Sequence, residues 1–353
     1  MSAELESGAT IAGRYRIERV IGKGGFGVVY RATHVQLGRS VALKVLLPNY
    51  SDNDELVMRF IQEARSAAAI GHPGIVEVFD LGQDEGRAFL AMEMLDGEEL
   101  AERITREHPL SEATVAHIGA EIADAIAAAH DHGIVHRDLK PENVFLTRRG
   151  RSEVVKILDF GIAKLLHGAS GNITKTGQLF GTPRYMAPEQ FRGAAELDHR
   201  ADIYAIGTIL FQALTNQLPF DAESYPELVL KIMADRPPAI ARFRPDVSAE
   251  LIGIIERAMA KAKEDRWQSA HELAGALEAH VAHAPSTAPR SLALPPSIVD
   301  TLATVPATPT PNGAEPIAGG RSSRVIKLAA GAALAFSAVL AAVSGWAVSH
   351  EGG

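Results

Sequence analysis

Apolar and β-branched residues stand among polar ones from Tyr15 to Ile21, a glycine cluster from Gly22 to Gly27 interrupts them, and Val28 to Ala32 resumes the pattern. Two strands joined by a glycine-rich turn are predicted. Val41-Ala42-Leu43-Lys44-Val45-Leu46 follows as an apolar run holding a single lysine, which predicts a buried strand. Further along, the period lengthens. Phe60, Ala64 and Ala67 share one face of a helix predicted over Met58 to Ile70, and Val115, Ile118, Ile122 and Ile126 mark a second helix. Asp202 to Leu214 carries Ile203, Ile206, Ile209, Leu210 and Leu214 and is apolar nearly all round, as a helix at the centre of a lobe must be. Strands therefore come first and helices later, an α+β order.

The pattern lapses after residue 281. Eight of the 19 prolines lie between Pro285 and Pro316, among Ala, Ser and Thr. Such a stretch buries too little apolar surface to offset the entropy of ordering, so a disordered, extended linker is expected. From Leu328 to Val348 run 21 residues without a charge or a proline. At ~1.5 Å per residue they are long enough to cross a ~30 Å hydrocarbon layer. A single transmembrane helix is the expectation. Arg321, Arg324 and Lys327 precede it, which places the folded body on the cytoplasmic side of a single-pass arrangement. Ser337, Ala341 and Gly345 at four-residue steps form a small-residue face that would let two such helices pair into a homodimer.

Composition narrows the classes further. Of 353 residues, 46% are hydrophobic and 22% charged, which excludes a largely disordered or fibrous chain. The net charge of -8 supplies no overall basic field, and no nucleic-acid partner is expected. Cysteine is absent, so disulfides, thiolate nucleophiles and zinc–thiolate sites are excluded.

The candidate chemistry begins in the glycine cluster. Gly22-Lys23-Gly24-Gly25-Phe26-Gly27-Val28-Val29 fits GxGxxGxV, and glycines let backbone N–H groups approach phosphate oxygens closely. Alone, the pattern fits a flexible hairpin turn as well. A dinucleotide fold would have the glycines open a helix, whereas here they lie between strands. Lys44, in a buried strand, calls for an anion. Glu63, close to the apolar face of the following helix, is a candidate partner that would hold the ammonium toward a phosphate; by spacing alone it reads equally as a solvated helix residue.

Three later segments change the picture. They are His136-Arg137-Asp138-Leu139-Lys140-Pro141-Glu142-Asn143, Lys156-Ile157-Leu158-Asp159-Phe160-Gly161, and Gly181-Thr182-Pro183-Arg184-Tyr185-Met186-Ala187-Pro188-Glu189. With the glycine loop and the strand lysine, this ordered set resembles the protein kinase catalytic domain. The resemblance covers about residues 15 to 281. Lys140 and Thr182 resemble serine/threonine kinases, and the segments Tyr185 to Gln190 and Asp202 to Gly207 look most like eukaryotic-like, membrane-bound serine/threonine kinases of bacteria. It implies a bilobal protein kinase fold, with a β-rich N-lobe over 15–95 and a helical C-lobe over 96–281. An N-terminal tail over 1–14 would precede it. The linker over 282–327, the transmembrane helix over 328–348 and a short extracytoplasmic tail over 349–353 would follow.

The resemblance also implies an activity: transfer of the γ-phosphoryl group of ATP, with Mg2+, to Ser or Thr of protein substrates. On that basis Ile21, Gly22, Lys23, Gly24, Gly25, Phe26, Gly27, Val28 and Val29 cover the nucleotide. Ala42, Lys44, Glu63, Met92, Glu93 and Leu95 complete the ATP site, with Met92 at the back of the pocket and the backbone of Glu93 and Leu95 reading the base. Asp138 is the implied base for the acceptor hydroxyl and Lys140 the neutraliser of the moving phosphate, while Asn143 and Asp159 are the implied metal ligands. Asp202 is expected to bond the backbone around Arg137, and Glu189 to pair with Arg266. Thr174 and Thr176 are candidate autophosphorylation sites whose phosphate would face Arg137. Thr182 is expected to contact Asp138 and Lys140. A pseudokinase would have lost one of Lys44, Asp138, Asn143 or Asp159, and none is lost. A small-molecule kinase typically lacks the Gly181 to Glu189 segment, which is present.

Overall fold

The computed structural model describes residues 4–25, 27–51, 53–150, 152–159, 183–193 and 197–283. Strands β1 (Thr10–Ile11), β2 (Tyr15–Lys23), β3 (Gly27–His34) and β4 (Arg39–Leu46) are followed by a short helix α1 (Pro48–Ser51) and by α2 (Asp54–Ile70). β5 (Val78–Asp84) and β6 (Arg87–Glu93) complete a six-stranded antiparallel sheet in the order β1-β2-β3-β4-β6-β5. The glycine-rich turn is tighter than the sequence pattern suggests. β2 runs on to Lys23, β3 resumes at Gly27, and the Gly24 N–H donates to the Gly27 carbonyl at 2.9 Å.

Alternation along these strands sorts side chains to two faces. Tyr15, Ile17, Val28, Tyr30, Leu43 and Phe89 build one apolar cluster. On α2, Val57, Phe60 and Ala64 close a second cluster over Leu46, Ala88 and Leu90. The helix begins where Asn53 accepts the Leu56 N–H, and it ends at Gly71 in the left-handed region. Residues before Tyr15 also belong to the fold. Thr10 and Ile11 pair with Arg16 and Tyr15, and Ile11 is buried.

Past Glu93 the chain turns helical. A three-stranded antiparallel sheet, β7 (Gly97–Glu99), β8 (Val144–Arg149) and β9 (Ser152–Ile157), lies beside α3 (Leu100–Arg106) and α4 (Glu112–Asp131). After it come α5 (Arg200–Thr215), α6 (Tyr225–Ala234), α7 (Ala249–Ala258) and α8 (Ala270–His283). The predicted central helix is α5: thirteen of its residues, from Ala201 to Leu214, are buried. Gly207 makes that centrality feasible, because a Cβ there would lie 2.7 Å from Met259 Cγ and 2.9 Å from Ala258 Cβ.

Among the described residues no helix is long and apolar enough to cross a membrane. The expected linker over 282–327 has its first two residues inside α8, which continues to His283; the rest of it and the expected span over 328–348 lie outside the described residues. So do Phe26, residues 160–182 with Thr174, Thr176 and Thr182, and the side chain of Glu63.

Candidate active site

Cross-strand register assembles the apolar half of the site. Val29 stands opposite Lys44, and Ala42 stands opposite Met92. Ala42, Met92 and Val76 form a cluster, against which Ile21, Val29, Val78, Met94 and Leu158 pack. Four of the expected nucleotide residues thus meet in one apolar patch, and Met94 lies between the expected Glu93 and Leu95; Val76, Val78 and Leu158 were not anticipated. Their signal was only a β-branched or aliphatic residue beside a strand end, which sequence alone cannot distinguish from ordinary core.

Two expected contacts go elsewhere. Val28 alternates with Val29 and turns its side chain into the opposite cluster with Tyr15 and Tyr30, so only its backbone can serve a nucleotide. Lys23 extends its ammonium to Glu4 Oε1 at 2.6 Å, on the N-terminal segment. Gly27 fits its place for steric reasons: a Cβ would fall 2.6 Å from the Val45 carbonyl oxygen.

The polar half is built by β4, β8 and β9. Lys44, 11% exposed at its side chain, donates to Asp159 Oδ1 at 2.6 Å. Glu63 lies on α2, and its expected pairing with Lys44 falls outside the described side chains. Burial works to raise the Asp159 pKa, but the Lys44 ammonium, with support from His136 and Lys140, outweighs it and holds the carboxyl below its ordinary value. Asp159 has φ 47°, a left-handed conformation that a non-glycine residue adopts at a cost.

Asn143 and Asp159 come together through strand pairing. Val144 stands opposite Ile157, and the Leu158 N–H donates to the Asn143 carbonyl at 2.8 Å. Asn143 Nδ2 donates to the Asp138 carbonyl at 2.8 Å, which leaves its amide oxygen as the atom for a cation. An amide oxygen next to an ionised carboxylate is a hard-oxygen donor set that fits magnesium. Among the described residues no cluster of three or more acidic or histidine side chains is placed to hold a metal alone. Magnesium characteristically takes one or two protein oxygens and draws the rest of its shell from phosphates and water.

The loop carrying Asp138 is fixed from below. Buried Asp202 on α5 accepts the His136 N–H and the Arg137 N–H, each at 2.8 Å, and meets His130 Nε2 at 2.9 Å. The His136 ring donates from Nε2 to the Leu158 carbonyl at 3.0 Å, since a carbonyl can only accept. Lys140 Nζ stands 3.5 Å from Asp138 Oδ2. Gln190 donates to the Arg137 carbonyl at 3.0 Å and accepts the Ala187 N–H at 2.9 Å, tying the Ala187–Pro188–Glu189 turn to the loop. Arg137, Asp138, Lys140, Tyr185, Met186 and Gln190 line a small cleft on this side. Glu189 and Arg266 form the expected buried pair, bidentate at 2.7 and 2.8 Å.

Known proteins are similar to this chain in sequence and in fold. Residues 15–276 match the family model described as protein kinase domain. The chain is 42% identical over 278 residues to serine/threonine-protein kinase pkn3 of Myxococcus xanthus, covering 77% of this chain and 51% of that protein. It is 40% identical over 266 residues to serine/threonine-protein kinase PrkC of Bacillus subtilis, covering 75% of this chain and 40% of that one. The chain thus spans about half or less of the length of these curated relatives. The crystal structure of the PknI kinase domain of Mycobacterium tuberculosis is similar with a TM-score of 0.63 and 34% identity, covering 79% of this chain and all of that one. With the glycine loop, Lys44, Asp138, Asn143 and Asp159 in the places just described, the chain belongs to the protein kinase domain family.

Proposed function

We propose that the protein is an ATP-dependent serine/threonine protein kinase. The observation that carries this reading is the convergence of Lys44, Asp159, Asn143 and Asp138 at one end of the apolar patch formed by Ala42, Val76 and Met92. Adenine enters that patch, and the phosphates extend toward Lys44. The acceptor hydroxyl approaches on the Asp138 side. Its oxygen attacks the γ-phosphorus, the bond to the bridging oxygen of ADP breaks, and the hydroxyl proton passes to an Asp138 carboxylate oxygen. Lys140, 3.5 Å from that carboxylate, is close enough to offset charge on the phosphoryl oxygens. Asn143 and Asp159 would hold magnesium, which when bound neutralises phosphate charge. The Gln190 bridge supports protein rather than small-molecule acceptors, because it joins the catalytic loop to a docking segment.

The same proposal extends to regulation and placement, on sequence pattern alone. Autophosphorylation at Thr174 or Thr176 would add charge opposite Arg137. The 328–348 segment would anchor the chain in the inner membrane with the kinase on the cytoplasmic side, and its small-residue face would support a homodimer. The test of the central reading is transfer of labelled phosphate from ATP to a generic protein acceptor. Label on Ser or Thr that disappears in Asp138→Asn supports it. Absence of transfer by the unaltered chain overturns it.

A further inference from the structure

Two largely buried charged side chains at the junction of the lobes have no role in the chemistry above, where only the backbone of Glu93 was assigned one. Lys156 on β9 is 15% exposed at its side chain and Glu93, the last residue of β6, is 19% exposed. The Lys156 ammonium donates to Glu93 Oε1 and, at 3.2 Å, to the Ile75 carbonyl. Glu93 Oε1 also accepts the Glu77 N–H at 2.9 Å, while the Glu93 N–H donates to the Glu77 carbonyl at 2.9 Å.

The segment between them is bonded along both edges. Toward β9, the Val76 N–H donates to the Ile157 carbonyl at 3.0 Å and the Ile157 N–H to the Gly74 carbonyl at 2.8 Å. Toward β6, it carries the two Glu93 bonds. Lys156 spans the gap and joins the backbone that would read adenine to the strand leading, three residues later, to Asp159. An ammonium this buried would not be held there without its partners.

We propose that Lys156 is a positioning residue for the adenine site, acting through the Glu93 carboxylate to fix the segment Glu93 to Leu95 against the strand that delivers Asp159. The proposal rests on the kinase reading of this site. Without the ammonium, the Glu93 carboxylate keeps only the Glu77 N–H, and the segment loses its tie to β9. The base then binds a less ordered frame.

The experiment titrates the full chain with adenosine, which carries no phosphate and requires no metal, and measures label transfer from ATP in parallel. Lys156→Met is expected to weaken adenosine about five- to tenfold, with transfer at saturating ATP within about threefold of the unaltered chain. Glu93→Gln changes no side-chain volume and retains an acceptor, so it carries the test even where Lys156→Met does not fold; a smaller loss of about two- to threefold is expected. The double variant is expected to lose no more than the larger single loss, because both changes act on one bond. Adenosine affinity unchanged in both single variants, or additive losses in the double variant, overturns the clamp. An unaltered chain that binds adenosine yet transfers no label overturns the kinase reading instead.

Discussion

Arg137 donates its backbone N–H to Asp202 Oδ1 at 2.8 Å while standing at φ 66°. A residue with a side chain pays about 1 to 2 kcal/mol for that left-handed conformation, and the buried carboxylate of α5 offsets it. The outcome is a fixed direction for Asp138, the next residue. Asp202→Ala removes the acceptor of two backbone donors, at about 1 to 3 kcal/mol for each donor left buried and unpaired. Stability is expected to fall by about 3 kcal/mol and label transfer by more than about 100-fold, since small misplacements of a catalytic group are costly. Asp202→Asn keeps one acceptor and should lie between. Urea unfolding and initial rates on the same preparations check both.

The Glu189 and Arg266 pair should behave differently. Arg266 also donates to the carbonyls of Ala260, Lys261 and Arg200, so every face of the guanidinium is used. Removing either member alone is expected to cost about 3 to 5 kcal/mol, because a charge stays buried without its partner. The double replacement Glu189→Leu with Arg266→Met should cost less than the sum of the two single losses. Adenosine affinity should change less than twofold in whatever fraction remains folded, as calorimetry at low temperature would show.

Gly207 offers a packing test. A Cβ there meets Met259 Cγ at 2.7 Å and Ala258 Cβ at 2.9 Å, and α7 cannot move away without opening the C-lobe core. Gly207→Ala is therefore expected to destabilise by about 1 to 3 kcal/mol, the usual cost of overpacking, despite the better helix propensity of alanine. Combining it with Met259→Ala should recover part of the loss, measured as a shift of the urea midpoint.

Lys261 sets a pH dependence. Burial pushes its pKa down to about 8 from 10.5, although its ammonium bonds the Ile232 carbonyl and lies 4.0 Å from the Phe220 ring centroid. Between about 8 and 10.5 the unfolded chain binds this proton more readily than the folded one, so the contribution of Lys261 to stability rises with pH across that window. Below it, the burial cost is fully present. Lys261→Met should flatten the rise by about 1 to 2 kcal/mol, after allowance for the solvent that still reaches the side chain. Chemical denaturation at pH 7.5, 9 and 10.5 on both proteins gives the comparison.

The strands from Tyr15 to Leu46, α2 and α5 were legible because alternation and helical spacing are direct consequences of burying one face. The candidate reactive residues stood out for another reason: His136 to Asn143 and Lys156 to Gly161 are contiguous motifs whose side-chain types suit phosphoryl transfer. What spacing could not show was the facing of single positions and the support beneath them. Val28 looked like its neighbour Val29 until pleating put the two on opposite sides of the sheet. His130 and Gln190 act through contacts 72 and 53 residues away in sequence, and no local pattern records such pairings. Lys156 stood inside a recognised motif, yet its partner Glu93 lies on another strand.

The six-stranded sheet ends, at one side, in a strand of only two residues, Thr10–Ile11. So short a strand has few free N–H and C=O groups of its own, and it covers only the start of β2. A chain begun at Tyr15, where the family match starts, would lose the pairing of Tyr15 and Arg16 and leave β2 unpaired from its first residue. Such a shortened protein is expected to present a longer free edge to strand addition.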